Sequence, residues 1–335
     1  MGNDVVVAST SFALSAWVVD VAFSNEGVVA WATADGAVHQ VLGHGIRRLQ
    51  VHADGACLTL QSNGFSGLFS GGDDGELWRI HSDGRQQQIL KERQWVQRLL
   101  YRDGALIAWV GDRIVMLPEQ DPKRASTLAK GLGSNDLALN SAGSLLVAAH
   151  AGGITWWPLE EGTEVGAMQH MPHPGSHRRV CVSPNGRYVV TALQESRLHC
   201  WSLAEREGFG MWGYISRVDS LEFSSQGNWL ATSGSDCLVL WPFAQGVPSN
   251  VAPRELLAGL GLCLQVACHP HRELVAAAFD DGTFAVVNAA TCVTIWQERI
   301  CTGRVSSMKW NGEGDVLAVG MEQGEAHRLC FKFNG

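Results

Sequence analysis

The stretch Ala56–Ile80, ACLTLQSNGFSGLFSGGDDGELWRI, reads as three short strands separated by two tight turns. Asn63-Gly64 and Asp74-Gly75 mark the turns, because Asn, Asp and Gly supply the left-handed dihedrals that such a turn demands. Between them lie strand-length apolar runs, the middle one narrowed by Ser70, Gly71 and Gly72. Small residues at that place let a neighbouring sheet approach closely. One such unit cannot bury both of its faces, so it must stack against others like it.

The same pattern recurs along the whole chain. Units begin with VVDVAFSNEG at Val18, WVQRLLYRDG at Trp95, DLALNSAG at Asp136 and RVCVSPNG at Arg179. Three more begin with RVDSLEFSSQG at Arg217, LCLQVACHPHR at Leu262 and RVSSMKWNGEG at Arg304. The glycines that end the first strand stand at 27, 64, 104, 143, 186, 227 and 314, with Arg272 in the seventh slot. A period near 40, carrying three strands and a variable fourth, belongs to a radially stacked β-propeller. No segment keeps a helical period for more than two turns. The expected architecture is all-β, with eight blades of four antiparallel strands. Seven is the alternative, in which the degenerate third unit would be something else. The opening DVVVAS is expected to supply the fourth strand of the last blade, which closes the ring and removes both sheet edges. The whole chain, residues 1–335, then reads as one propeller domain.

At this point the units resemble WD40 repeats. In that family a His before the first strand, a Ser/Thr in the second, an Asp in the second turn and a Trp in the third form a hydrogen-bonded network. His52, Ser70, Asp74 and Trp78 match the pattern most fully. His173, Thr191 and Trp201 match it in the fifth unit, and Asp236 and Trp241 in the sixth, which lacks the His. The Trp-Asp dipeptide that names the family occurs nowhere: Trp78 is followed by Arg, Trp201 by Ser and Trp241 by Pro. The resemblance implies a WD repeat scaffold for protein–protein interaction, with partners held by the loops around a central channel.

Composition bounds the other readings. Hydrophobic residues make up 46% and charged residues 17%, which excludes disorder. The formal charge of −8 gives no basic field for nucleic acid, and no apolar run is long enough to span a bilayer. The N-terminal stretch lacks the positive region of a signal peptide. Nine scattered cysteines with no tandem Cys-x-x-Cys fit a reducing, cytoplasmic setting. No nucleophile elbow, phosphate loop, metalloprotease helix or dinucleotide fingerprint is present, so neither catalysis nor a cofactor is expected. Two clusters invite a metal: Cys263, Cys268, His269 and His271, and the loop bearing His170, His173 and His177. Their spacings match no common zinc pattern, and a buried hydrophobic Cys or a structural His explains each. A small-molecule or metal site at the channel mouth, with or without catalysis, is the alternative function.

If family geometry holds, residues ten positions before each turn glycine ring the channel. They include Trp17, Arg217 and Arg304, with Trp95 one place off and Arg178 beside the ring. Trp and Arg are the residues that dominate binding hot spots. The arginines on an acidic protein suit an acidic peptide or surface. Packing between blades is the competing role for Trp17 and Trp95. The stretch AEREGFGMWGYI, 204–215, reads either as a packed strand or as an exposed docking patch.

Overall fold

The computed structural model describes residues 5–43, 45–64, 67–248 and 251–333. Among them the chain is all strand apart from one short 3-10 turn at Pro122–Arg124. Among the described residues no helix is long and apolar enough to cross a membrane.

Each unit forms an antiparallel meander whose second strand is buried on both faces, as in Val29–Thr33, Leu68–Gly72, Ala105–Val110 and Leu274–Phe279. That burial is possible because Ala30, Ala32, Ala276 and Ala278 leave room for the sheet alongside. Larger side chains fill the wedge that opens toward the periphery, where Trp296, Trp310 and Phe331 meet. All seven turn glycines have φ between +66° and +77°, where a β-carbon is strained. At the seventh turn the chain needs no such glycine: the N–H groups of His271 and Arg272 both donate to His269 Nδ1.

Val5–Ala13 pairs with Glu325–Phe333 through nine residues, from Val5 opposite Phe333 to Ala13 opposite Glu325. The first strand therefore completes the last sheet and closes the ring. Across the seam Trp31 Nε1 donates to the Val319 carbonyl at 3.0 Å, and Ser306 Oγ donates to the Val18 carbonyl at 2.5 Å.

The strands assemble into seven hydrogen-bonded sheets, six of four strands and one of six. Counted as sheets the propeller is seven-bladed, and the expectation of eight separate four-stranded blades is corrected. The third unit is not the one lost: Val96–Arg102, Ala105–Val110, Arg113–Pro118 and Ser126–Lys130 form a regular blade. Instead the fourth and fifth units share a sheet. Leu145–Pro158 pairs with Ser134–Leu139 along one half and, from Ala151 onward through the bend at Gly152-Gly153, with Gln169–Val182 along the other. Gln169–Val182 in turn gives its second half to Tyr188–Leu193. Pairing continues through both bends, so two repeats become one double-width sheet. Eight inner strands still surround the channel, one for each repeat: Val18–Phe23, Cys57–Ser62, Val96–Arg102, Ser134–Leu139, 177–182, Leu221–Phe223, Cys263–Cys268 and Val305–Trp310.

Candidate interaction rim at the channel mouth

Seven of the eight inner strands break register at the same place. The breaks fall between Val18 and Asp20, Cys57 and Thr59, Val96 and Arg98, Ser134 and Asp136, His177 and Arg179, Cys263 and Gln265, and Val305 and Ser307. A bulge inserts one unpaired residue and re-aims its side chain. Those residues are Val19, Leu58, Gln97, Asn135, Arg178, Leu264 and Ser306. Just before the bulge, Val18, Val96 and Val305 are buried and anchor the strand. One residue earlier the chain surfaces, so Trp17, Trp95 and Arg304 stand at the rim.

Bulge residues from four successive inner strands meet in one recess of about 380 Å³, lined by Leu58, Gln97, Asn135 and Arg178 together with Trp95, Trp109 and Arg179. Trp95 is 55% exposed, whereas Trp109 is buried but for one edge, its indole N–H donating to the Gly111 carbonyl at 2.6 Å. Asn135 Nδ2 donates to the His177 carbonyl at 2.9 Å and ties two inner strands together. Gln97 Oε1 is buried without a hydrogen-bond partner. Among the described residues neither Arg178 nor Arg179 has an ion-pair partner, and no carboxylate lines the recess.

Deeper in the channel three carboxylates accept backbone N–H groups. Asp20 accepts N–H bonds from Val21 and, across the blade boundary, from Leu60 at 2.8 Å. Asp136 likewise accepts from Leu137 and Val180, and pairs with Arg98 at 3.3 Å. Glu222 accepts the Cys268 N–H at 2.8 Å and lines the channel, with part of its side chain exposed there and the rest enclosed by protein. Burial pushes its pKa up to about 7, against the pull of nearby Lys309.

Of the five rim residues read from the sequence, the structure brings Trp95 and Arg178 into this recess. Trp17, 51% exposed, and the exposed Arg217 and Arg304 occupy equivalent rim positions elsewhere and do not line it. Arg304 is partly neutralised by Glu322 at 3.3 Å. Sequence reasoning did not pick out Trp109, Gln97 or Asn135. The first sits in a second strand that reads as blade packing, and the other two carry no signal until the bulges bring them together. The stretch 204–215 divides: Met211 is buried and Phe209 half-buried, Trp212 and Ile215 project 65% and 67% exposed, and Tyr214 turns inward.

The structural networks have the following geometry. His52 Nε2 lies 2.9 Å from Ser70 Oγ, and Nδ1 lies 3.0 Å from Asp74. Trp78 stands outside that bond set and donates to Glu76 at 2.8 Å. In the fifth unit His177 reaches Thr191 at 2.7 Å, while His173 lies one step outward, 3.3 Å from His177. Trp201 is buried against both imidazoles. In the sixth unit the place of the imidazole is taken by Tyr214. Trp241 Nε1 donates to its hydroxyl at 2.7 Å, and the hydroxyl lies 2.8 Å from Thr232 Oγ1. Asp236 accepts a long hydrogen bond from Ser235 Oγ, at 3.4 Å.

Neither metal cluster noted in the sequence converges. The one group of three or more ligand atoms within 4.8 Å among the described residues is His52, Asp74 and Glu76. Its atoms are already taken by Ser70, Trp78 and Lys91. Cys263 and Cys268 are buried thiols with raised pKa values.

Comparison with known proteins agrees with this architecture. A model of the WD domain, G-beta repeat, matches residues 212–241. The chain is 31% identical over 132 residues to human WD repeat-containing protein 18, an alignment covering 37% of this chain and 30% of that protein's length. A chain in a crystal structure of the mitotic checkpoint complex superposes with a TM-score of 0.62 at 12% identity, over 96% of this chain and 90% of the other. That likeness concerns the fold.

Proposed function

We propose that this chain, a member of the WD40-repeat family, is a non-catalytic scaffold that holds protein partners at the rim of its channel. The observation that carries the reading is the recess beside Trp95. It is a rigid concavity with an exposed indole and unpaired guanidinium groups, bare of carboxylates on an otherwise acidic protein. Such a surface suits an acidic segment or surface of a partner, since aromatic and arginine side chains carry most binding energy and complementary charge sets specificity. The channel interior supports the non-catalytic reading, because Asp20 and Asp136 are spent on holding adjacent inner strands. All nine cysteines are free, which supports a reducing, cytoplasmic setting.

The test is affinity capture from native extract, comparing wild type with a Trp95→Ala, Arg217→Ala, Arg304→Ala variant of unchanged thermal transition. A stoichiometric protein that crosslinks to the rim and is lost with the variant is the expected result. No protein with either form, alongside a copurifying small molecule or metal, would transfer the function to the channel interior.

A further inference from the structure

Ring closure leaves Val5–Ala13 as the outer strand of the last sheet, bonded to Glu325–Phe333 on one side and to no described strand on the other. Such an edge offers a row of free N–H and C=O groups to any other chain. Proteins blunt it with charges, prolines or short length. The other outer strands here follow that rule. Gly45–Gln50 carries Arg47 and Arg48, Gln86–Lys91 and Ser126–Lys130 each end in lysine, and Gln169–Val182 carries two prolines in its outer half. Glu207–Met211 begins with an acid, Thr294–Arg299 ends in an acid and an arginine, and Arg254–Leu256 is only three residues long. Val5–Ala13, VVVASTSFA, has nine residues, no charge and no proline, and it pairs inward without a bulge.

Which backbone groups face outward follows from the ladder. Leu14 N–H donates to the Gly324 carbonyl, and on the far side of the partner strand Phe331 N–H donates to the Asp315 carbonyl, both at 2.7 Å. Hydrogen-bonded pairs alternate along an antiparallel ladder, so both bonds place Val6, Ala8, Thr10 and Phe12 in the pairs that bond inward. Val5, Val7, Ser9, Ser11 and Ala13 therefore turn N–H and C=O to the outside, along about 30 Å.

This edge matches itself. Laid antiparallel about a two-fold axis through Ser9, the register that overlaps all nine residues sets Val5 against Ala13, Val7 against Ser11 and Ser9 against its own mate. Each outward residue then meets another outward residue. The same register sets Val6, an apolar side chain 58% exposed, opposite the half-buried Phe12 of the second strand. A β-branched residue facing an aromatic is a favourable cross-strand pair. No charge opposes a like charge within the pair, and a two-fold pairing consumes both edges and stops at two chains.

We infer that a second copy of this chain pairs with the outer edge of Val5–Ala13, joining the two last blades into one continuous sheet. The contact lies on the ring's circumference and leaves the channel recess open, so it stands independently of the scaffold reading.

Sedimentation velocity on the full chain across about 1–200 μM tests it, with a dimer expected at the upper end. One strand pair is small beside the roughly 1,600 Å² of a standard interface, so a dissociation constant in the micromolar range is expected. Ser9→Pro removes an outward N–H that no strand of the same chain uses. It should abolish the dimer and leave the thermal midpoint of the dilute monomer unchanged. Thr10→Pro removes an inward bond and should lower that midpoint. Ser9→Lys sets two like charges face to face and should weaken the dimer about fivefold. On mild oxidation Ser9→Cys should give a disulfide-linked dimer beyond the wild-type background, and Val6→Cys, whose mate lies about 20 Å away, should not. A chain that stays monomeric throughout, a dimer that persists in Ser9→Pro, or crosslinking through Val6→Cys in preference to Ser9→Cys would overturn the inference.

Discussion

Tyr214 gives the sharpest test of how the blades are held together, because its hydroxyl can be removed with the ring left in place. In Tyr214→Phe the indole N–H of Trp241, a residue 6% exposed, loses its acceptor, and Thr232, fully buried, loses its neighbour. An orphaned buried N–H costs about 1–3 kcal/mol, and the second bond, on a threonine that still reaches the Val239 carbonyl, about 1 kcal/mol. The expected loss is therefore about 2–4 kcal/mol, a large share of the roughly 5–15 kcal/mol that holds a domain folded. Unfolding entropy of about 2.1 cal/mol/K per residue, over a chain this long, turns that loss into a midpoint lowered by roughly 3–6 °C. Urea unfolding gives the free energy directly. In a Trp241→Phe background the donor is already gone, so the same substitution should cost only about 1 kcal/mol. A loss under about 0.5 kcal/mol in the wild-type background, or full additivity of the two changes, would refute the claim that Tyr214 carries the sixth unit's network.

Three further outcomes are expected. Burial lowers the pKa of His177 to about 4 and of His199 to about 3, from 6.5. The folded state therefore favours their neutral forms, and stability should be complete above pH 6.5 and fall as pH drops through 4. Urea midpoints across that range should slope less steeply in His177→Gln. Glu222 has the opposite sign: its pKa rises from 4.5 to about 7, so it withdraws stability as pH climbs through that window. Glu222→Gln keeps an acceptor for the Cys268 N–H and should be more stable than wild type at about pH 8 but not at about pH 4, as unfolding at the two pH values would show. In Gly72→Ala the new β-carbon would lie 2.3 Å from His52 Nδ1 and 2.6 Å from Asp74 Oδ1. Breaking that network should cost about 2–4 kcal/mol in the same assay, and an unchanged midpoint would show that the second unit does not depend on it.

The fold was legible because its signal is backbone chemistry. A glycine at positive φ stands at seven of the eight repeat turns, so the spacing survives where the rest of the unit has diverged. The closing strand was legible for a similar reason, since an unpaired edge on the last sheet needs a partner. The join between the fourth and fifth units was not, because sheet count depends on whether pairing persists through a bend, and Gly152-Gly153 reads in sequence like any other turn. Side-chain networks were legible only where the expected residue type was kept. His52 lies within hydrogen-bond distance of Ser70 and Asp74, whereas in the fifth unit it is His177, and not His173, that reaches Thr191, a choice made by loop geometry. Tyr214 does an imidazole's work with a phenol, which no search for histidine would find.

The site shows why function is harder to read than fold in a repeat protein. Its bulge residues come from four inner strands, and no two of the four are alike: Leu58, Gln97, Asn135 and Arg178. The repeated element is the bulge, a backbone feature with no residue signature. It fixes a ring of positions aimed at the mouth and outside the strand ladder, although Asn135 and Ser306 use their side chains to bond neighbouring inner strands. The residues just before the bulges, Val18, Val96 and Val305, are held apolar by burial, whereas the bulge residues range from Val19 and Leu58 to Gln97 and Arg178. Stability therefore resides in the anchors and recognition in the bulges. Substitutions at Arg178 should alter binding while leaving unfolding unchanged, and substitutions at Val96 should do the reverse.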